Sequence, residues 1–186
     1  MSAVAARPAA ATLRDATLDD APVIAAIYAG HVLHGTASFE LAPPTVDEMR
    51  QRMDALLRGG FPFVAACRDG ALVGYAYAGP YRPRPAYRYT VEDSIYLAPE
   101  AQRQGIGSAL LDRLVERCVA RGDRQMIAAI GDSANGGSIA VHARAGFVEI
   151  GRLDKVGRKF ERWLDVVFMQ RALGDGASSA PVDRAP

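Results

Sequence analysis

The run Gln102-Arg103-Gln104-Gly105-Ile106-Gly107-Ser108 has clear chemical potential, because a strand-like segment ends just before it and an amphipathic helix begins inside it. Glycine admits backbone conformations closed to other residues and lets a ligand approach the main chain. The N–H groups of Gly105 to Ser108 would point unpaired from a helix N-terminus, an arrangement that attracts phosphate. A ligand-free strand-to-helix turn is the plain alternative. A dinucleotide site is excluded: Leu110 stands where the third glycine belongs, and apolar residues around Ile127 stand where a ribose-binding acid is expected about 20 residues on. No Gly-Lys-Ser/Thr triplet follows, so a Walker loop is excluded too. A second feature is the loop PYRPRPAYRY, residues 80–89. Prolines stiffen it, while Arg82 and Arg84 offer planar forks for phosphinate, carboxylate or sulfonyl-type oxygens and Tyr87 adds a hydroxyl. A solvated basic loop and an RNA-contacting patch compete with that reading.

The rest of the chain bounds what these groups can do. At 186 residues it is one domain, and 49% hydrophobic with 23% charged residues is a globular composition. With 22 Lys plus Arg against 21 Asp plus Glu, the net charge of +1 supplies no broad basic field for nucleic acid or an anionic membrane. Cys67 and Cys118 lack the spacing of a metal knot or disulfide framework; both are expected to be core thiols, and a reducing cytoplasm suits them. No segment reaches the roughly 20 apolar residues of a spanning helix, and the alanine-rich start lacks a secretory h-region. The expected division is a loose tail over 1–11, a folded domain over 12–173 and a small, polar, disordered tail over 174–186.

Elements that would position the candidates follow from periodicity and caps. Leu13 to Ala16 is a short strand, and Thr17 with Asp20 opens a helix with apolar positions Val23, Ile24, Ile27 and His31. Thr45 with Glu48 opens a second helix through Met49, Met53, Leu56 and Leu57, stopped by Gly59 and Gly60. Phe61 to Cys67 and Leu72 to Ala78 pair as a hairpin about Asp69-Gly70. Thr90 to Leu97 alternates as a strand, with Glu92 on the face of Thr90 and Ser94. Leu110, Leu111, Leu114, Val115 and Cys118 mark a helix ended by Gly122. Met126 to Ile130 is a buried strand, Ser138 to Ala145 a helix, and Phe147 to Ile150 and Trp163 to Gln170 are the last strands. The sum is an α/β domain with a mixed sheet.

Placed on this frame, Gln-x-x-Gly-x-Gly resembles the pyrophosphate motif of the GCN5-related N-acetyltransferase (GNAT) superfamily. Three collinear blocks are similar to its phosphinothricin N-acetyltransferase group: Tyr75 to Leu97, Ile130 to Phe147 and Arg162 to Gln170. The resemblance implies an α+β fold with a mostly antiparallel, centrally splayed sheet and flanking helices. It also implies acetyl transfer from acetyl-CoA to a primary amine, with no metal, in a homodimer. Such an amine is an ammonium at neutral pH and needs a proton acceptor. By the resemblance that base is Glu92, whose other reading is a solvent-facing acid. His142 falls at a position facing the thioester, with a supporting role in orienting the acyl donor, steadying an oxyanion or sharing a proton. Ile95, Tyr96 and Leu97 would pair through their main chain with the pantetheine arm. Arg103, Gln104, Gly105, Ile106, Gly107 and Ser108 would hold the pyrophosphate. Asn135 and Ser138 would bond the cofactor, with simple helix capping as the alternative. Arg82, Arg84 and Tyr87 match acceptor-anchoring positions, and Phe39 resembles an aromatic that walls the acceptor pocket.

The acceptor so implied is a small amino-acid-like molecule such as phosphinothricin or methionine sulfoximine or sulfone. A protein N-terminus or a polyamine is the alternative, although a polyamine would prefer an acidic pocket to this basic loop. A non-catalytic acyl-CoA sensor is the third reading; in it Glu92 and His142 would be dispensable.

Overall fold

The structure is a computed structural model and describes residues 11–182. Seven strands form one sheet in the order β1-β2-β3-β4-β5-β7-β6. They are β1 (Thr12–Asp15), β2 (Phe63–Arg68), β3 (Ala71–Pro80), β4 (Thr90–Leu97), β5 (Gln125–Gly131), β6 (Val148–Lys159) and β7 (Arg162–Ala172). Only β4 and β5 are parallel neighbours; the other pairs are antiparallel. The mixed, mostly antiparallel α/β architecture expected from the sequence is therefore the one observed.

Helices α1 (Ala21–His34) and α2 (Val46–Arg58) cover one face, packing Ile24, Tyr28, Val32, Met49 and Met53 against Phe63, Ala65 and Tyr75. Helices α3 (Ile106–Arg121) and α4 (Gly136–Arg144) lie on the other. There α3 buries Leu110, Leu111, Leu114 and Cys118 against Val64, Ala76, Val91, Met126 and Ala128. The capping signals do their expected work: Glu48 N–H donates to Thr45 Oγ1 at 3.2 Å while the Glu48 carboxylate accepts from Thr45 N–H at 2.7 Å. Thr17 N–H likewise donates to Asp20 at 2.8 Å, here opening a short 3-10 turn that runs into α1. Cys67 is half-buried, Cys118 is buried, and both are free thiols.

The β4–β5 ladder fixes the geometry of the site. It pairs Thr90–Asp93 with Gln125–Ala128 and then stops, although β4 continues beside β3 to Leu97 and β5 beside β7 to Gly131. Beyond Asp93 the sheet therefore opens as a wedge. Its β4 edge can be read from the alternation of antiparallel bonding. Ala98 N–H donates to Val73 at 2.9 Å and Tyr81 N–H to Thr90 at 3.3 Å, so the even-numbered residues of β4 spend their main chain on β3. Ile95 and Leu97 turn their N–H and C=O groups into the wedge.

Three expectations are corrected. Val23 is 44% exposed, because α1 is apolar almost all round and only one stripe meets the sheet. The strand expected at Phe147 to Ile150 begins at Val148 and runs to Lys159. Its second half carries Gly, Lys and Arg and has no buried face to impose alternation; pairing with β7 alone makes it a strand. The tail expected to be disordered from Gly174 forms turns as far as the description extends. Gly176 N–H donates to Leu173 at 2.9 Å, and Arg124 donates to Ala180 at 3.0 Å and Ser179 at 3.1 Å. Local backbone bonds and one arginine order it without an apolar core. Residues 1–10 and 183–186, which hold the rest of the expected tails, lie outside the described residues.

Candidate active site

Gly105 adopts φ +81°, a left-handed conformation suited to glycine, and turns the chain from the β4 side into α3. The first N–H groups of this 16-residue helix have no partners within it. They border a cavity of about 700 Å³ that gathers Arg103, Gly105, Gly107 and Ser108 with Ile95, Leu97, Asn135, Ser138 and His142. Nine of the expected residues, far apart in sequence, thus share one wall. A smaller cavity of about 50 Å³ fills the point of the wedge, lined by Asp93, Ser94, Ile95, Tyr96, residues 128–131 and His142.

Other candidates are used differently from expectation. Gln104 does not line the cavity: its Nε2 donates to Glu100 O at 2.6 Å and its Oε1 accepts from Arg68, while Gln102 borders the cavity instead. Ile106 buries its side chain in the core at 6% exposure and offers only its backbone. Tyr96 directs its main chain to β3, and its ring packs edge-on against Tyr28 at 5.0 Å and His31 at 5.2 Å. Asn135 caps α4, its Oδ1 accepting from Ser138 N–H at 3.2 Å.

Glu92 and His142 do not face each other. Glu92 is half-buried on the α1/α2 side of β4. Burial pushes its carboxyl above the ordinary range, Asp93 pushes the same way, and Arg82 opposes both. His142 meets the opposite face, where Nε2 lies 2.9 Å from Asp93 Oδ2 and Nδ1 lies 2.8 Å from Ser138 O. Burial disfavours its charge, but the hydrogen bond and charge of Asp93 prevail and raise its pKa above the usual imidazole value. Asp93 was missed in the sequence. The alternation of β4 could have flagged it as an acid on the apolar face of Val91 and Ile95.

The residues expected on the acceptor side lie on loops and line neither cavity. Arg82, Arg84 and Tyr87 are exposed on the β3–β4 connection, where Arg82 stacks 4.9 Å from the Tyr81 ring centre. Phe39 rides on the α1–α2 connection, which is tied down from several sides. Thr36 Oγ1 donates to Asp132 Oδ2 at 3.0 Å, Lys159 Nζ donates to Ser38 O at 2.7 Å, and the Tyr28 and Ser38 hydroxyls lie 2.8 Å apart. Arg162 Nη2 also donates to Asp132 Oδ2, at 2.6 Å. His31 Nε2 donates to Leu97 O at 2.8 Å, on the edge of the wedge. Sequence reasoning found none of these ties, because each joins residues distant along the chain. Among the described residues no cluster of three or more His, Cys, Asp or Glu side chains is arranged to hold a metal ion.

A sheet split between parallel strands, with a glycine turn opening a helix beside the split, defines an acyl-CoA-type transferase architecture. Residues 24–147 match the Acetyltransferase (GNAT) family, and the chain belongs to it. It is an acetyltransferase. Over 172 residues it is 53% identical to the phosphinothricin N-acetyltransferase of Alcaligenes faecalis, covering 92% of this chain and 87% of that one. It is 42% identical to the L-methionine sulfoximine/L-methionine sulfone acetyltransferase of Pseudomonas paraeruginosa, covering 92% and 99%. The crystal structure of a phosphinothricin acetyltransferase from Sinorhizobium meliloti in complex with acetyl-CoA superposes with a TM-score of 0.91 at 49% identity, covering 93% of this chain and 94% of that one.

Proposed function

We propose that this protein transfers acetyl from acetyl-CoA to the primary amine of a small, anion-bearing, amino-acid-like acceptor of the phosphinothricin, methionine sulfoximine or methionine sulfone type. The wedge carries this reading: a continuous wall runs from the N-terminus of α3, past Ile95 and Leu97, to Asp93 and His142 at its point, with Glu92 next to Asp93 on the other face of β4. The residues fit a diphosphate with an extended amide-bearing arm. Backbone N–H groups at Gly105 to Ser108 suit the phosphates, and Arg103 adds charge. Ile95 and Leu97 supply strand-type donors and acceptors to the arm, with Asn135 and Ser138 on the facing side. The bound donor supplies an activated acetyl thioester.

Glu92 accepts the ammonium proton, and burial, by raising its pKa, makes it a better base than an ordinary carboxylate. The amine nitrogen then bonds to the acetyl carbon, the carbon–sulfur bond breaks with the electron pair on sulfur, and the surplus proton of the new amide nitrogen neutralises the departing thiolate. Arg82, Arg84 and Tyr87 hold the acidic end of the acceptor, and Phe39 walls its apolar part. His142 supports the reaction from the cofactor side.

The same reading places the enzyme in the cytoplasm as a homodimer. Support for the dimer lies on the β6–β7 hairpin, where Val148, Ile150, Val156, Phe160 and Trp163 are each more than half exposed. No helix of the described residues is long and apolar enough to cross a membrane.

A thiol-release assay with purified protein, acetyl-CoA and a panel of phosphinothricin, methionine sulfoximine, methionine sulfone, neutral amines and polyamines tests the proposal. Release with the anionic amino acids is expected. Release with none of the panel, or a preference for polyamines, would overturn it.

A further inference from the structure

The shortest contacts of both ring nitrogens of His142 are to acceptors. Ser138 O, a carbonyl oxygen, lies 2.8 Å from Nδ1 and can receive a proton but never give one. The Ser138 hydroxyl is 3.4 Å from the same nitrogen, too far to compete. On the other side Asp93 Oδ2 lies 2.9 Å from Nε2, and a carboxylate oxygen meets an imidazole nitrogen at that distance only with a proton between them. That proton resides on the more basic imidazole. The ring is therefore an imidazolium, with both N–H groups committed inside the protein. Its side chain is 4% exposed and that of Asp93 1%, so the charge pair is buried. It sits in the last turn of α4, where a helix favours a cation.

The groups facing the pair are few. Among the described residues Asp93 is the titratable group that acts on the ring, and the edge of the Phe147 ring closes another side at 5.1 Å. Asp93 itself is faced by Glu92 on its own strand and by Cys118 of α3. Asp93 Oδ1 has no protein hydrogen-bond partner and is fully buried. Both residues line the small cavity at the point of the wedge.

We propose that Asp93 is a positioning residue of the transferase: it keeps His142 doubly protonated at the point of the wedge, so that the ring offers a fixed positive charge instead of a transferable proton. The inference rests on the acetyl-transfer reading, in which negative charge develops on the departing sulfur at that end of the wall. A buried cation lowers the energy of that charge without moving, as a preorganised dipole does. Proton traffic is thereby left to Glu92 on the other face of β4. The arrangement also locks α4 to β4, since losing either partner would strand a buried charge.

The first test needs no variant and no substrate. The chain has three histidines, so nitrogen-15 NMR of the intact protein can resolve the His142 ring. Both ring nitrogens are expected to carry protons at about pH 7.5, where a free imidazole is mostly neutral. A ring nitrogen with a bare lone pair at that pH overturns the proposal, whether or not the protein acetylates any amine on the panel. The second test is Asp93→Asn. Its kcat is expected to fall about 10- to 100-fold while acetyl-CoA affinity changes by less than about threefold. Its residual activity should decline with rising pH at a lower pH than in the wild type, because the buried ring, without its anion, sheds its proton more readily than a free imidazole. A folded Asp93→Asn protein with wild-type kcat and pH profile overturns the proposal, as does one whose His142 remains doubly protonated. Should this variant fail to fold, the wild-type ring spectrum decides.

Discussion

Replacing Gly157 by alanine puts Phe39, the proposed wall of the acceptor pocket, under a measurable load. An ideal Cβ at Gly157 falls 2.2 Å from Phe39 Cε2 and 2.5 Å from Cδ2, far inside contact distance. Restoring an ordinary contact of about 3.8 Å requires the ring to move by about 1.6 Å. The backbone beneath it cannot follow, because Thr36 and Ser38 are tied to Asp132, Lys159 and Tyr28. On the other side the ring also crowds Gly131, where an added Cβ would lie 2.9 Å from Phe39 Cε1. Its outlet is solvent, to which Phe39 is already 37% exposed. The strain should therefore stay near the low end for overpacking, about 1 kcal/mol, or a Tm loss of about 2–4 °C. The ring that swings out no longer walls the acceptor, so the acceptor KM should rise about 5- to 30-fold for a loss of about 1–2 kcal/mol. The KM for acetyl-CoA should not change. Steady-state kinetics and thermal melts on Gly157→Ala, Phe39→Ala and the double variant form the assay. In the Phe39→Ala background the glycine change should cost less than about 0.5 kcal/mol. A penalty that persists there, or an equal rise in the acetyl-CoA KM, refutes the reasoning.

Glu92→Gln should lower kcat by about 10² to 10⁴ and remove the acidic limb of the pH profile, with acetyl-CoA affinity intact. The native state holds the Glu92 proton more tightly than the unfolded chain does, so ionising Glu92 costs stability as pH rises from the unfolded carboxyl pKa through the raised native one. Removing the charge should consequently raise Tm at neutral pH, and a wild-type pH–rate profile would exclude Glu92 as the base. Arg82→Ala with Arg84→Ala should raise KM for anionic acceptors about tenfold or more, through lost charge-assisted bonds, and leave neutral amines unaffected; an equal effect on both classes would signal misfolding instead. Gly107→Glu should abolish binding of acetyl-CoA in calorimetry while the protein still melts cooperatively. A Cβ there meets Leu97 at an ordinary 3.5 Å, and an acid suits a helix start, but its carboxylate repels the diphosphate.

Local features were legible in the sequence, and the features that depend on tertiary contact were not. The turn at Gly105, the Thr45–Glu48 cap and the alternation of residues 90–97 each declare themselves within a few residues, because backbone conformation and periodicity are local properties. The Asp93–His142 pair joins positions separated by 49 residues, so only the packing of α4 on β4 reveals it. Gln104 sits by spacing in the run expected to bind phosphate, yet Arg68 and Glu100 draw its amide away. Likewise β6 has no core-facing stripe to read, and the segment from Gly174 is held by Arg124 instead of by apolar burial.

Adjacent carboxylates on β4 illustrate how one strand can serve two chemistries. Successive side chains point to opposite faces, so Glu92 and Asp93 never compete for one site despite being neighbours. Glu92 meets the α1/α2 face and the charge of Arg82, where its raised pKa suits an acid that takes and returns a proton. Asp93 meets α4, where a histidine fixes it and is fixed by it. The wedge begins at Asp93 because its ladder to Ala128 is the last between β4 and β5. Both acids therefore flank the place where the β4 edge loses its β5 partner and, in the proposed reading, gains a ligand. A one-residue slip of β4 would exchange the two faces, placing the longer acid against His142 and the shorter one before Arg82. The register held by β3, from Gly74–Leu97 to Pro80–Val91, is thus as much a part of the proposed catalytic apparatus as either carboxylate.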